Sequence, residues 1–276
     1  MKLNNHLIFG GVICIFIVFI SLLSIVWVPY DYNEIDTPSR LLPPGAKHIL
    51  GTDNFGRDIF SRIMAGGRNS IFLAVCTVTG AALIGSLFGL IAGYLGGIAG
   101  EIIMRLMDTI SSLPGIVFAL MLVAVMDNSQ FSLFLALLII FTPSYTRVMR
   151  TGAMQYKNAT FIQAERIMGA NFFRITFIHI LPNLSPSLLS ASVIGLSNAI
   201  LAESAMSYLG MGIQPPNPSW GRMLFESQSW FFNAPWCSLA PGIFIMLTVI
   251  AFHLFGEGIR QALFGKNSGG QNGLLS

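Results

Sequence analysis

Residues 156–183 read YKNATFIQAERIMGANFFRITFIHILPN, a polar and basic stretch set between segments that otherwise look built for lipid. A chain needs no such structured loop merely to cross a bilayer, so the local chemistry here separates this protein from a simple membrane anchor. Thr160 and Gln163 fit a capping box, in which the hydroxyl meets a free backbone N–H and the amide reaches back. The spacing predicts a helix over 161–168. Gly169 then stands where a left-handed C-terminal residue is wanted, a conformation glycine adopts without steric cost. Asn171 is placed to cap a second helix, which would end before Pro182, giving two short helices joined at a bend. Phe161, Ile162 and Ala164 form an apolar patch beside Glu165 and Arg166. Such a helix either fills a groove on a partner or lies on the protein's own face, and the residues alone leave both open.

The rest of the chain is hydrocarbon-like. Hydrophobic residues make up 54% of the 276, charged residues 10%, and the mean hydropathy is +0.70. An ordinary soluble domain carries about 25% charge, so the expectation is an all-α integral membrane protein. Six apolar runs, near 7–28, 71–94, 102–126, 131–148, 188–211 and 239–255, approach or exceed the roughly 20 residues that cross about 30 Å of hydrocarbon. The first is too long for a usual signal-peptide core and lacks a small-x-small cleavage site, so it reads as a retained helix. Four histidines and three cysteines show no metal-ligand spacing. Cys14 and Cys76 fall in apolar runs and Cys237 near a surface, which implies no disulfide framework and no metal.

Charge placement orients the spans. Arg147, Arg150, Lys157, Arg166 and Arg174 face a single acid, Glu165, in and around the opening stretch. The other long loop, 29–69, balances five basic against five acidic residues. The basic loop is therefore expected in the cytoplasm, with both termini. Gly85, Gly89 and Gly93 recur every four residues, with Gly96, Gly97 and Gly100 beyond, so one helix face admits a close neighbour. That face either packs tightly or slides against a partner. In the 29–69 loop, LGTDNFGRDIFSR from Leu50 offers Thr52 or Asp53 as a cap, with Asp58 and Arg62 four apart on one face, as in an amphipathic helix on the membrane surface. Pro114, Pro143 and Pro241 interrupt apolar runs and are expected to mark bends.

Gln163-Ala164-Glu165, then Gly169-Ala170, then Leu181-Pro182 resembles the glutamate-alanine-alanine loop of bacterial ATP-binding-cassette importer permeases. Gln163 stands where that family has glutamate, and Glu165 where it has the second alanine. LGTDNFGRDIFSRIMAGGRNS from Leu50, RLMDTISSLP from Arg105, ILAESAMSYLGMGIQPPNPSWGRML from Ile200 and APWCSLAPG from Ala234 extend the likeness over residues 30–263. They resemble the shorter permease subunit of dipeptide, oligopeptide and nickel importers. The resemblance implies a type I importer permease fold with six spans in a bacterial cytoplasmic membrane. It implies as partners a homologous second permease, two cytoplasmic ATPases, an extracytoplasmic solute-binding protein and lipid, with no nucleic acid and no cofactor. It assigns Gln163, Ala164, Glu165, Gly169, Ala170, Leu181 and Pro182 to the loop that seats in the ATPase. The chain has no G-x-x-x-x-G-K-[ST] loop, so no catalytic residue is expected here and ATP hydrolysis falls to the partners.

Arg105, Asp108 and Glu203 are ionisable groups within or beside apolar runs, where charge is costly and often functional. They are the candidates for a translocation path. Arg105 and Asp108, three apart, can also pair with each other, and Glu203, without a sequence-local partner, can equally be a buried structural carboxylate. Residues 34–40 look like the nickel-type permeases and residues 202–207 like the peptide type. Short peptides are the expected cargo, with nickel or a nickel chelate as the alternative. An ion-coupled secondary transporter is a rival that leaves the 156–183 stretch without a job. The expected organisation is an N-terminal helix and outer loop over 1–69, a transport core over 70–265 with its coupling loop at 150–185, and a flexible tail over 266–276.

Overall fold

Glycine spacing decides how the bundle closes. In the computed structural model, which describes residues 5–264, the chain runs α1 (Asn5–Leu23), α2 (Ile59–Leu95), α3 (Gly97–Ser111), α4 (Gly115–Val125), α5 (Gln130–Lys157), α6 (Thr160–Ile167), a π-helical turn (Arg174–Ile180) leading into α7 (Leu181–Tyr208), α8 (Trp220–Ser227) and α9 (Trp236–Phe264). The tail expected at 266–276 lies outside the described residues. A Cβ on Gly85, Gly89 or Gly93 would meet the carbonyl oxygens of Thr142, Thr146 and Arg150 in turn, at 2.5 to 2.8 Å. The close neighbour anticipated for this stripe is thus α5 of the same chain. Gly96 and Gly97, at φ 65° and 54°, turn the chain from α2 into α3.

Because the obstacle at Gly89 is backbone rather than a flexible side chain, Gly89→Ala is expected to destabilise the bundle by about 1–3 kcal/mol. Thermal unfolding of the purified variant in detergent checks this, with Gly242→Ala in α9, whose added methyl would come no closer than 3.9 Å to a neighbouring side chain, as the contrast for a methyl added without a clash.

Helices α1, α2 and α5, the continuous Arg174–Tyr208 helix and the Trp236–Leu263 stretch are each long and apolar enough to cross a membrane. The span expected over 102–126 is instead a pair of helices, α3 and α4, bent by 86°. Pro114 explains the break: it lacks a donor and forces its neighbour Leu113 away from helical geometry. Pro143 and Pro241, expected at bends, sit inside unbroken helices. Helix α2 runs across the boundary expected at 69/70, so the outer loop and the core share one helix.

One end of the bundle carries the 158–173 segment and the other the 24–58 loop with α8. Between them lie three buried clusters. One joins α1, α2, α7, α8 and α9 around Ile17, Ile63, Trp220 and Phe252. A second joins α4 and α5 to α2 and α7 around Val123, Leu133, Leu137 and Met206. The third closes the 158–173 end around Leu90, Met149, Ile162, Ile175 and Leu184. Apolar side chains outside these clusters cover the rim, as a bilayer-facing surface requires.

Candidate functional site: the coupling segment and the opposite ion cluster

The helix expected after Tyr156 forms, but its cap differs. Ala159 is the N-cap, and its carbonyl accepts from Ile162 N–H at 3.0 Å and Gln163 N–H at 3.1 Å. Thr160 is the first helical residue rather than the cap, and the Gln163 amide donates to Asn158 O at 3.1 Å. A capping box needs the hydroxyl outside the first turn, and α6 starts one residue too early for that, with Thr160 already helical. The C-terminus follows the glycine logic closely. Gly169 has φ 82°, Gly169 N–H donates to Arg166 O, and Ala170 N–H donates to Glu165 O, both at 3.0 Å. These are the paired bonds of a Schellman motif, which satisfy the last carbonyls of the helix and reverse the chain.

Asn171 caps the next helix as expected, its Oδ1 accepting from Arg174 N–H at 2.9 Å. That helix does not end before Pro182. It opens into a π-turn in which Leu181 N–H reaches back to Thr176 O, and then continues as α7. Pro182 has no N–H and its ring crowds the carbonyl four residues back. The wider π-turn accommodates both defects without breaking the helix.

Ile162 is not part of an outward patch, because it is fully buried in the cluster with Leu90, Met149 and Ile175. It anchors α6, and the outward apolar face consists of Phe161 with Ile167 and Met168, which are 87% and 71% exposed. Gln163, Ala164, Gly169 and Pro182 are exposed, while Ala170 and Leu181 pack partly against the cluster beneath. Glu165 turns towards its own chain: its Oε2 lies 3.4 Å from His179 Nε2 and 3.6 Å from Arg174 Nε. An alanine at this position would leave those two groups without that carboxylate, so the departure from the alanine pattern has a structural counterpart.

The path candidates separate in space. Arg105 does not pair with Asp108. It lies 3.9 Å from Glu101, and Asp108 accepts from Arg147 of α5 at 2.9 Å. Glu101, Arg105 and Asp108 are on the open side of α3, where Arg105 is 80% and Asp108 63% exposed. Glu203, by contrast, is fully enclosed. It has the local partner that spacing did not suggest: Ser207, one turn on, donates to its Oε1 at 2.6 Å. Ser207 Oγ also accepts from Ile213 N–H at 3.1 Å and from Ser219 Oγ at 3.2 Å. Ser219 is the N-cap of α8, so this carboxylate fastens α8 and the turn before it to α7.

The segment from Leu50 is not a solvated surface helix. Asp53 organises a tight turn, and Asp58 caps α2 by accepting from Ser61 N–H at 2.8 Å. Asp58 also sits 2.9 Å from His48 Nδ1, rather than pairing with Arg62. Arg62 is 3% exposed and donates to Glu226 of α8 at 2.9 Å. Arg57 bridges Asp53 at 2.7 Å and Glu226 at 2.8 Å, and Arg222 reaches Glu226 Oε1 at 3.2 Å. Three guanidinium groups therefore converge on two carboxylates. Trp220, fully buried, donates to Ile63 O of α2 at 3.0 Å and holds α8 against α2. Cys237 is also buried rather than near a surface, its thiol directed at Thr52 O at 3.4 Å.

Comparison with known proteins agrees with this architecture. Residues 85–265 match the family described as binding-protein-dependent transport system inner membrane component. The probable D,D-dipeptide transport system permease protein of Escherichia coli K12 is 38% identical over 260 residues, covering 93% of this chain and 87% of that protein. The dipeptide transport system permease protein of Alkalihalophilus pseudofirmus is 37% identical, over 95% of this chain and 86% of its own length. The oligopeptide transport system permease protein of Bacillus subtilis is 33% identical, over 94% and 85%. Among solved structures, the MetNI methionine ABC transporter in inward-facing form shares the fold at a TM-score of 0.54 with 18% identity, covering 70% of this chain and 94% of the matched one. With 181 consecutive positions matched to the family and relatives above 30% identity along nearly the whole length, the chain belongs to the binding-protein-dependent transport system inner membrane components.

Proposed function

We propose that the chain is one of two permease subunits of an ATP-driven importer that carries short peptides into the cell. The observation that carries this reading is the 158–173 segment. Its α6 is anchored from below by Ile162, bent at Gly169 and presented with an apolar face of Phe161, Ile167 and Met168. A self-contained membrane protein gains nothing from holding such a face away from its own core, whereas a cytoplasmic ATPase with a matching groove covers it. In this reading the basic end of the bundle, with both termini, faces the cytoplasm, and the α8 end meets a solute-binding protein outside. ATP is hydrolysed by the two ATPase subunits. Arg105 and Asp108, on the open side of α3, belong to the surface that a second permease or the path would cover. Glu203 serves as the anchor of α8.

Peptide cargo is supported by the relatives, whose names specify dipeptides, D,D-dipeptides and oligopeptides. The test is gentle purification of the tagged chain from its own membranes, with the expected result that ATPase and a second permease co-purify and that labelled dipeptide uptake is lost when the ATPase is deleted. Uptake that survives the deletion overturns the importer reading. Calorimetric titration of the cognate binding protein with dipeptides and with nickel chelates decides the cargo, and binding of the chelate alone overturns the peptide assignment.

A further inference from the structure

Tyr94 lies in the last turn of α2, at the same end of the bundle as α6, and three successive parts of the coupling region converge on its ring. Arg166 of α6 donates from Nε to the phenol oxygen at 3.2 Å, with its guanidinium carbon 5.0 Å from the ring centroid. Lys157, the last residue of α5, places its Nζ 5.9 Å from the same centroid. Phe172, just past the Gly169 bend, meets the ring edge-on at 5.3 Å. The ring itself packs partly on the cluster that buries Ile162. One aromatic side chain of α2 therefore touches the start, the middle and the exit of the segment that faces the ATPase.

Helix α2 is well suited to carry a displacement away from this point. Its 37 residues span roughly 55 Å at the usual rise of an α-helix. The glycine stripe packs it backbone to backbone on α5, which suppresses bending. Its far end holds Arg62 in the ion cluster with Glu226 and receives Trp220 of α8 at the Ile63 carbonyl. A movement of α6 that shifts Tyr94 thus arrives at α8 through a single element.

We infer that Tyr94 is the joint through which the coupling helix drives α2, with α2 acting as the lever that repositions α8 at the opposite face. Tyr94 is a positioning residue in this scheme and touches neither ATP nor cargo. Arg166 ties α6 to this ring, its Nε hydrogen-bonded to the phenol oxygen and its guanidinium over the ring. The inference rests on the importer reading, since it needs an ATPase to move α6.

The test uses the assembled complex, with both permeases and both ATPases reconstituted in vesicles and driven by loaded binding protein, and reads peptide transported per ATP hydrolysed. Tyr94→Leu is expected to lower that ratio about fivefold while ATPase still co-purifies, the size by which mutations along a coupling route commonly act. Tyr94→Phe, which keeps the ring and loses only the hydrogen bond, is expected to lower it about twofold, and Arg166→Gln to match or exceed that loss. A purely structural role would lower the amount of complex and leave the ratio unchanged. If Tyr94→Leu fails to assemble, the two milder variants decide, and an unchanged ratio in both overturns the inference. Absence of ATPase from the wild-type preparation would instead overturn the importer reading itself.

Discussion

Glu226→Ala is expected to be among the most destabilising single substitutions in the chain, costing about 3–5 kcal/mol, because it leaves buried cations without their shared anion. Glu226 receives Arg57 and Arg62 on one carboxylate oxygen and Arg222 on the other. After its removal Asp53 alone remains beside Arg57, at 2.7 Å, and Arg62, at 3.7 Å, while Arg222 loses its carboxylate and Arg62 is only 3% exposed. Thermal unfolding of the purified protein in detergent checks the effect, with a fall in midpoint on the order of 10 °C expected for a chain of this size. A second substitution sharpens the attribution. Adding Arg62→Met removes the most deeply buried of these charges, so the double variant is expected to recover part of the loss, a non-additivity that independent sites do not show. If Glu226→Ala unfolds at the wild-type temperature, α8 is not held by this cluster.

The cluster also shows where a linear reading of the sequence stops. Asp58 and Arg62 stand four apart, the spacing at which opposite charges usually pair along a helix. Each instead has a partner contributed by another segment: His48 for Asp58, and Glu226, 164 residues away, for Arg62. Local spacing carries no information about which distant carboxylate folding will deliver. The same holds for Ile162, which stands beside Phe161 in the sequence but is buried where Phe161 is exposed. Only the placement of Leu90 and Met149 beneath the helix decides which of the two is covered. Glu203 is the mirror case, since its closest partner is one turn away on its own helix but is a serine rather than a charge.

What the sequence did express clearly were features with a local physical cause. Hydropathy marked the long spans, because their apolar runs exceed what a soluble core needs. The period of four at Gly85, Gly89 and Gly93 announced a close approach, although not that α5 would be the neighbour. Pro114 was legible as an interruption, yet an 86° bend depends on how α4 packs against α5 and could not be read from a proline alone. The cap at Ala159 was missed because Thr160 is the better capping residue by type, whereas α6 begins with Thr160 already in its first turn.

Gly169 was the residue most completely specified by local chemistry, and Gly169→Val is expected to reduce uptake at least tenfold while the chain still inserts in the membrane. A Cβ at this position would meet nothing within 4 Å, so steric contact with neighbours contributes no penalty. The cost is conformational: φ is 82°, and a β-branched residue held in that region pays about 1–3 kcal/mol in strain. Escape from the strain breaks the bonds from Gly169 and Ala170 to Arg166 and Glu165, and with them the fixed angle between α6 and the helix that Asn171 caps. Ile167 and Met168 would then be presented in a different direction, although the buried anchor at Ile162 is untouched. The substitutions should rank accordingly, with Gly169→Asn mildest because asparagine tolerates the left-handed region, alanine intermediate and valine most severe. Peptide uptake measured at equal membrane levels of each variant gives the ranking, and wild-type uptake by the valine variant would show that the bend does not set the geometry of coupling.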